Sequence, residues 1–151
     1  MKSTTYDGTV TQYEYDANDL MRKEIDARGY ETNYSFDDND LLSEILNARG
    51  YKTILNYDDQ NRLESETFLD ATRKYTYDDD GRLEIFEKAD KKTLTYRYDE
   101  GDRLKSINDN LIKFTYDDRN NIETATNGLG VVSMTYDALN RIKTVTDTEG
   151  Q

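Results

Sequence analysis

Seven aromatic-aspartate pairs, spaced by 21, 21, 20, 21, 18 and 20 residues, run through this 151-residue chain. They are Tyr15-Asp16, Phe36-Asp37, Tyr57-Asp58, Tyr77-Asp78, Tyr98-Asp99, Tyr116-Asp117 and Tyr136-Asp137. A near-constant period of this size commits a chain to a repeat architecture, since each unit is too small to cover its own apolar face and must stack on its neighbours. Two positions before each aromatic stand Tyr13, Tyr34, Leu55, Tyr75, Tyr96, Phe114 and Met134. Six positions after it stand Met21, Leu42, Leu63, Leu83, Leu104, Ile122 and Ile142. The residues between the paired rings are all polar: Glu14, Ser35, Asn56, Thr76, Arg97, Thr115 and Thr135. Alternation of period two is the signature of a strand with one covered face.

Four positions past the aromatic come Asp19, Asp40, Asn61, Gly81, Asp102, Asn120 and Asn140. These are the three residue types that best tolerate a left-handed backbone. The aspartate straight after the ring can fold its carboxylate back onto nearby amides as an Asx-turn. "YDDDGRL" (77–83) therefore reads as a strand end, a tight loop with one positive-φ residue, and a return strand from Leu83. Each unit is a β-hairpin closed by that residue and a bulge. A second turn signal separates the hairpins: "DARGY" (26–30), "NARGY" (47–51), "DATRK" (70–74), "ADKKT" (89–93), "NDNLI" (108–112), "NGLGV" (127–131) and "DTEGQ" (147–151). The return strands are less regular: Ile45, Phe86, Ile107 and Val145 sit nine after the ring, but Glu24 takes that place in the first unit, where bulges are expected. Residues 1–12 read as the second half of a preceding turn and strand. The expectation is one continuous array over residues 1–151 that begins and ends in mid-repeat, a piece of a longer one.

Composition alone points elsewhere. Only 29 of 151 residues are Leu, Ile, Val or Phe, and the formal net charge is -12, values of the disordered class. Thirteen tyrosines overturn that reading, because each buries a large face while keeping a polar handle. The chain has no Cys and no His, so disulfides, thiolate ligands and the usual neutral-pH base are missing. An acidic surface repels phosphate backbones, which argues against a nucleic-acid partner. No apolar run suits membrane insertion, and "MKSTTYDG" is not a signal peptide.

The acid runs Asp37-Asp38, Asp58-Asp59, Asp78-Asp79-Asp80 and Asp117-Asp118 invite a calcium-stiffened spacer, but "DDDGRLEIFEKA" puts its glycine fourth where an EF-hand loop needs it sixth. Solvated turn acids are the better reading. No serine has a histidine to activate it, and no phosphate-binding glycine loop occurs. The chain is read as non-enzymatic, with no cofactor and no metal. Tyr13, Tyr34, Tyr75 and Tyr96 are candidate ligand-stacking rings for a sugar face. The plainer role for the whole aromatic ladder is packing between strands. Arg62, Arg82, Arg103 and Arg141 at the turn exits are expected to pair with neighbouring turn aspartates.

The pattern aromatic-x-aromatic-Asp-x-x-[Gly/Asn/Asp]-Arg-[Leu/Ile], in seven registers over roughly residues 6–150, resembles the YD repeat of Rhs proteins. Relatives include Gram-positive wall-associated proteins, the B and C components of insecticidal toxin complexes, and animal teneurins. The resemblance implies an all-β fold of about seven tandem antiparallel hairpins forming a curved, twisted open sheet, a segment of a larger β-shell. It implies as partners the rest of that shell and an enclosed C-terminal effector domain, with self-association through open sheet edges, and a secreted or cell-surface bacterial location. Its alternative is a cell-surface adhesion or carbohydrate-binding module using the tyrosine ladder. Arg is missing from the turn at Leu20, Leu41 and Asn121. The family's self-cleaving aspartyl segment has no counterpart here, so autoproteolysis does not transfer.

Overall fold

In the computed structural model the described residues are 2–4, 10–109 and 111–149. They form fifteen β-strands and no helix: β1 (Lys2–Thr4), β2 (Val10–Tyr15), β3 (Met21–Ile25), β4 (Glu31–Phe36), β5 (Leu42–Leu46), β6 (Lys52–Tyr57), β7 (Leu63–Phe68), β8 (Ala71–Tyr77), β9 (Leu83–Glu87), β10 (Thr93–Tyr98), β11 (Leu104–Ile107), β12 (Ile112–Tyr116), β13 (Ile122–Asn127), β14 (Gly130–Tyr136) and β15 (Ile142–Glu149). Contacts divide the chain into two units, Met1–Tyr75 with Lys88–Asp90, and Thr76–Glu87 with Lys91–Gln151. Within each unit the strands follow chain order in an antiparallel meander.

One register serves the hairpins. The ring residue faces the residue six positions on (Tyr15 with Met21, Phe36 with Leu42, Tyr57 with Leu63), while the residue before it faces position eight (Glu14 with Lys23). Position seven is the extra residue of a bulge, and the same shift recurs at Tyr98, Tyr116 and Tyr136. The first hairpin is no exception: Tyr13 faces Glu24 as Tyr34 faces Ile45. The bulge expected in this unit is present, as the one the other hairpins share, and Glu24 takes its place in the register without a further shift.

The second series of turns departs from the sequence reading in two places, at 70–74 and at the C-terminal end. Residues 70–74 do not form the turn after β7. Phe68 pairs with Ala71, so Leu69 and Asp70 alone connect the strands. The Thr67 and Thr72 hydroxyls meet at 3.0 Å and Glu66 pairs with Arg73 at 3.1 Å, which favours the tighter connection. Leu69 is left at φ 51°, a conformation that costs an ordinary residue ~1–2 kcal/mol. Leu69→Gly is therefore expected to stabilise the chain by about 1 kcal/mol, read as a higher midpoint in urea. At 108–112 Ile107 pairs with Ile112, Asn108 and Asp109 both take positive φ (48° and 52°), and the Leu111 N–H donates to the Asn108 carbonyl (3.3 Å), so the turn falls where the sequence places it. At the C-terminal end, residues 147–149 open no turn. They extend β15 and pair with Val132, Val131 and Gly130 of the long β14, whose free edge would otherwise go unbonded. Gly150 and Gln151 lie outside the described residues, as do residues 5–9 of the opening segment, where β1 pairs with β2.

Among the described residues no apolar side chain is buried; only Ser106 is. Apart from the exposed Tyr15 and Ile142, the paired rings and aliphatic residues are instead half-buried, and the polar residues between the paired rings are exposed. A single-layer sheet of this kind cannot lean on a dry core. Its order must come from contacts between consecutive hairpins.

Candidate functional site

The repeated turn is the best-defined constellation in the chain. At Asp16 the backbone N–H donates to the Leu20 carbonyl (2.9 Å), the Asp19 N–H donates to the Asp16 carbonyl (3.2 Å), and Oδ1 accepts the N–H groups of Asn18 (2.9 Å) and Leu20 (3.0 Å). The same closure recurs at Asp37, Asp58, Asp78, Asp99, Asp117 and Asp137. The left-handed residue falls at Asp19, Asp40, Asn61, Gly81, Asp102, Asn120 and Asn140, with φ between 59° and 82°. The second series uses the same device. Asn47 Oδ1 accepts from Arg49 and Tyr51 (2.9 and 3.1 Å), Asp26 Oδ1 from Arg28 and Tyr30 (2.8 and 2.9 Å), and Gly29 and Gly50 carry the positive φ.

Four of the rings tie back to the hairpin before them. Tyr57 donates its hydroxyl to the Leu42 carbonyl (2.9 Å), Tyr98 to Leu83 (2.9 Å), Tyr116 to Leu104 (2.8 Å) and Tyr136 to Ile122 (2.9 Å). The acceptor is always the first residue of the preceding return strand. Burial, with neighbouring aspartates, holds the hydroxyls of Tyr57, Tyr98 and Tyr116 above the ordinary tyrosine pKa. Phe36 lacks this tie although the Met21 carbonyl stands at the equivalent position. Phe36→Tyr is expected to add about 1 kcal/mol, and Tyr98→Phe to remove a similar amount. Calorimetric melts of the two variants should move in opposite directions.

The turn arginines tie forward. Arg82 Nε donates to Asp78 of its own turn (2.8 Å), its guanidinium lies 4.8 Å from the ring of Tyr98, and Nη1 reaches the left-handed Asp102 of the next turn. Arg103 repeats this on Asp99 (2.8 Å), the Tyr116 ring (4.6 Å) and Asn120 (2.7 Å). The expected pairing with neighbouring turn aspartates is thus mainly with the arginine's own turn. Guanidinium-over-ring contacts, ~0.5–1 kcal/mol at exposed sites, were not legible from spacing alone. In the first hairpin Leu20 holds the usual arginine position, and Arg22 substitutes from two residues on. It donates Nε to Asp16 Oδ2 at 2.7 Å and stacks 5.0 Å over Phe36. In the sixth, Asn121 Nδ2 bridges Asp117 (3.0 Å) and Asn140 (3.2 Å).

These contacts set the turn charges. At Asp16, Asp58 and Asp78 burial is the largest influence and raises the carboxyl, but backbone N–H groups and an arginine outweigh it, so the net pKa is lowered. At Asp99, Asp117 and Asp137 the leading cause is the side-chain hydrogen bond from Arg103, Asn121 and Arg141, again downward. Among the described residues no group of three or more acids converges to hold a metal.

The candidate stacking rings Tyr13, Tyr34, Tyr75 and Tyr96 are half-buried on the covered face. Tyr34 donates its hydroxyl to Glu24 Oε2 (3.2 Å), and burial first, then that glutamate, raises its pKa. Tyr30 and Tyr51, in the second turn series, are more open, at 59% and 50% exposure.

Comparison with known proteins agrees with this geometry. Residues 116–151 match the RHS Repeat family. No curated protein matches the chain by sequence. Among solved structures, the fold superposes on a mutant Tc holotoxin pore of Photorhabdus luminescens with TM-score 0.80 at 17% identity, covering 96% of this chain and 9% of that one. It superposes on TcdB2-TccC3-TEV with TM-score 0.79 at 18% identity, covering 93% and 9%. A further TcdB2-TccC3 structure gives 0.75 at 18% identity, covering 88% and 9%. The chain therefore spans about a tenth of the solved chains it matches. With the RHS model on residues 116–151, the same turn closure in all seven hairpins and the fold of the Tc structures, the chain is built like an RHS-type (YD) repeat array.

Proposed function

We propose that residues 1–151 form one continuous array that serves as a non-catalytic wall segment of an RHS-type shell, enclosing or presenting a toxin or effector domain. The observation that carries this reading is a sheet with no buried apolar residue among the described residues. Such a strip is held by hairpin-to-hairpin ties, and its half-covered face is left for other layers or a cargo. The likeness to Tc toxin assemblies supports the containment role, and with it a secreted or cell-surface location. The mechanism is exclusion: a closed wall keeps a cargo from solvent and proteases until it opens. The partners are the remaining shell and its effector, with the free edge strands open to pairing with further strands.

Limited proteolysis of the full-length protein with mass spectrometry tests this. Containment expects an effector segment to survive while the array is intact and to become labile when turn aspartates are replaced. Free cutting of every segment outside an intact array would rule containment out.

A further inference from the structure

The strand β15 is unlike the return strands before it. β3, β5 and β9 are half-buried along their whole length, whereas every residue from Ile142 to Thr148 is exposed, Ile142 at 61% and Val145 at 58%. One edge of β15 pairs with β14 over seven positions. The other meets no strand among the described residues. An exposed edge of eight residues is a template for another strand, and charged side chains are the usual guard against that. β15 carries such charges, but their order makes the strand complementary to itself.

Residues 141–149 read Arg-Ile-Lys-Thr-Val-Thr-Asp-Thr-Glu. Reversed about Val145, Lys143 falls on Asp147, Arg141 on position 149, Thr144 on Thr146 and Val145 on itself. A two-fold axis makes that reversal physical, because residue i then faces residue j and j faces i. Opposite charges on directly facing residues stabilise an antiparallel pair, and like charges destabilise it. Lys143 and Asp147 are both exposed, and neither has an ion-pair partner in its own chain among the described residues. Moving the axis to Thr144 or Thr146 would set Val145 against Lys143 or Asp147, and a parallel in-register pair would stack Lys143 on Lys143. Val145 already faces Met134 of β14, so a second Val145 beside it extends an apolar row. We propose that β15 is the contact surface of a two-fold dimer, pairing antiparallel with β15 of a second copy about Val145, with Lys143 of each copy against Asp147 of the other. This specifies the edge pairing proposed above and does not rest on the enclosure of a cargo. One strand edge buries less than the ~1,200 Å² of a stable interface, so the dimer is reversible and weak.

Sedimentation equilibrium from about 1 µM to about 1 mM protein tests it, at ~0.15 M salt to screen the -12 charge of each copy. A monomer–dimer equilibrium is expected. Lys143→Glu or Asp147→Lys alone sets like charges together twice per dimer and should weaken it by about tenfold. The double variant should recover it, and an equimolar mixture of the two single variants should form heterodimers where neither forms homodimers. Because both side chains are exposed and unpaired, the melting temperature of dilute protein should not move. A monomer at every concentration overturns the proposal. So does dimerisation that neither single substitution weakens, which would assign the contact to another edge such as β1. Growth beyond the dimer also overturns it, since a two-fold contact closes on itself. None of these results bears on containment, which the proteolysis decides.

Discussion

Replacing Asp78 with alanine should lower the melting temperature by on the order of 5 °C or more, while Asp78→Asn costs much less. Alanine removes the acceptor of the Asp80 and Arg82 N–H groups (3.1 and 2.9 Å) and the counter-ion of Arg82 Nε (2.8 Å). The loop then loses the closure that places Gly81 at positive φ, and Arg82 loses the anchor that aims it at Tyr98 and Asp102. One substitution thus loosens both its own turn and the tie to the next. Asparagine keeps an amide oxygen in the same place. The chain already uses that solution at Asn47 and Asn127, whose Oδ1 atoms each accept two backbone N–H groups. The asparagine variant isolates the ion pair, and exposed pairs contribute little. Thermal melts that place both variants together would show that charge, rather than geometry, holds the turn.

A larger effect is expected from acid. Six turn aspartates, Asp16, Asp58, Asp78, Asp99, Asp117 and Asp137, have folded-state pKa values below 3.8. When the folded value is depressed, the unfolded chain binds more protons in the window between the two values. Stability therefore rises with pH there. The contribution is fully present above the unfolded pKa and is lost as pH falls through the folded one. Because six turns titrate in the same window, the melting temperature should drop steeply below about pH 4. Relief of the -12 net charge acts in the opposite direction on the way down from neutrality, so stability should peak near or just above the sequence pI of about 4.4. Calorimetry from pH 7 to pH 2 would show the peak and the fall. A melting temperature that climbs monotonically toward pH 2 would mean that self-repulsion, not the turns, dominates.

The hairpins were legible because their signals are local. Ring alternation sets the strand face, and the residue four past the ring must sit at positive φ, so Asp19, Asn61 and Gly81 announce themselves by type. The shared bulge is less visible, since position seven holds Arg22, Glu64 or Lys105 with no common chemistry. The second turn series was readable only where a glycine survives. At Leu69 a leucine takes the left-handed conformation because cross-strand pairs draw the strands together, and residue type gives no warning of that. The hydroxyl ties and the forward reach of Arg82 and Arg103 depend on how consecutive hairpins stagger, which no single repeat encodes.

The directions of the ties have a consequence for how such a chain can change over generations. Tyr57, Tyr98, Tyr116 and Tyr136 bond backward to the hairpin before them and Arg82 and Arg103 reach forward to the one after, so a hairpin that carries both presents a plug on one side and a socket on the other. A duplicated or deleted segment of one whole period restores plug to socket at the new junction, whereas a cut at any other length leaves a ring without its carbonyl. Array length in this lineage should therefore drift in whole hairpins, with finer adjustment confined to loops such as Asn108-Asp109, where residues can be lost without disturbing the register on either side.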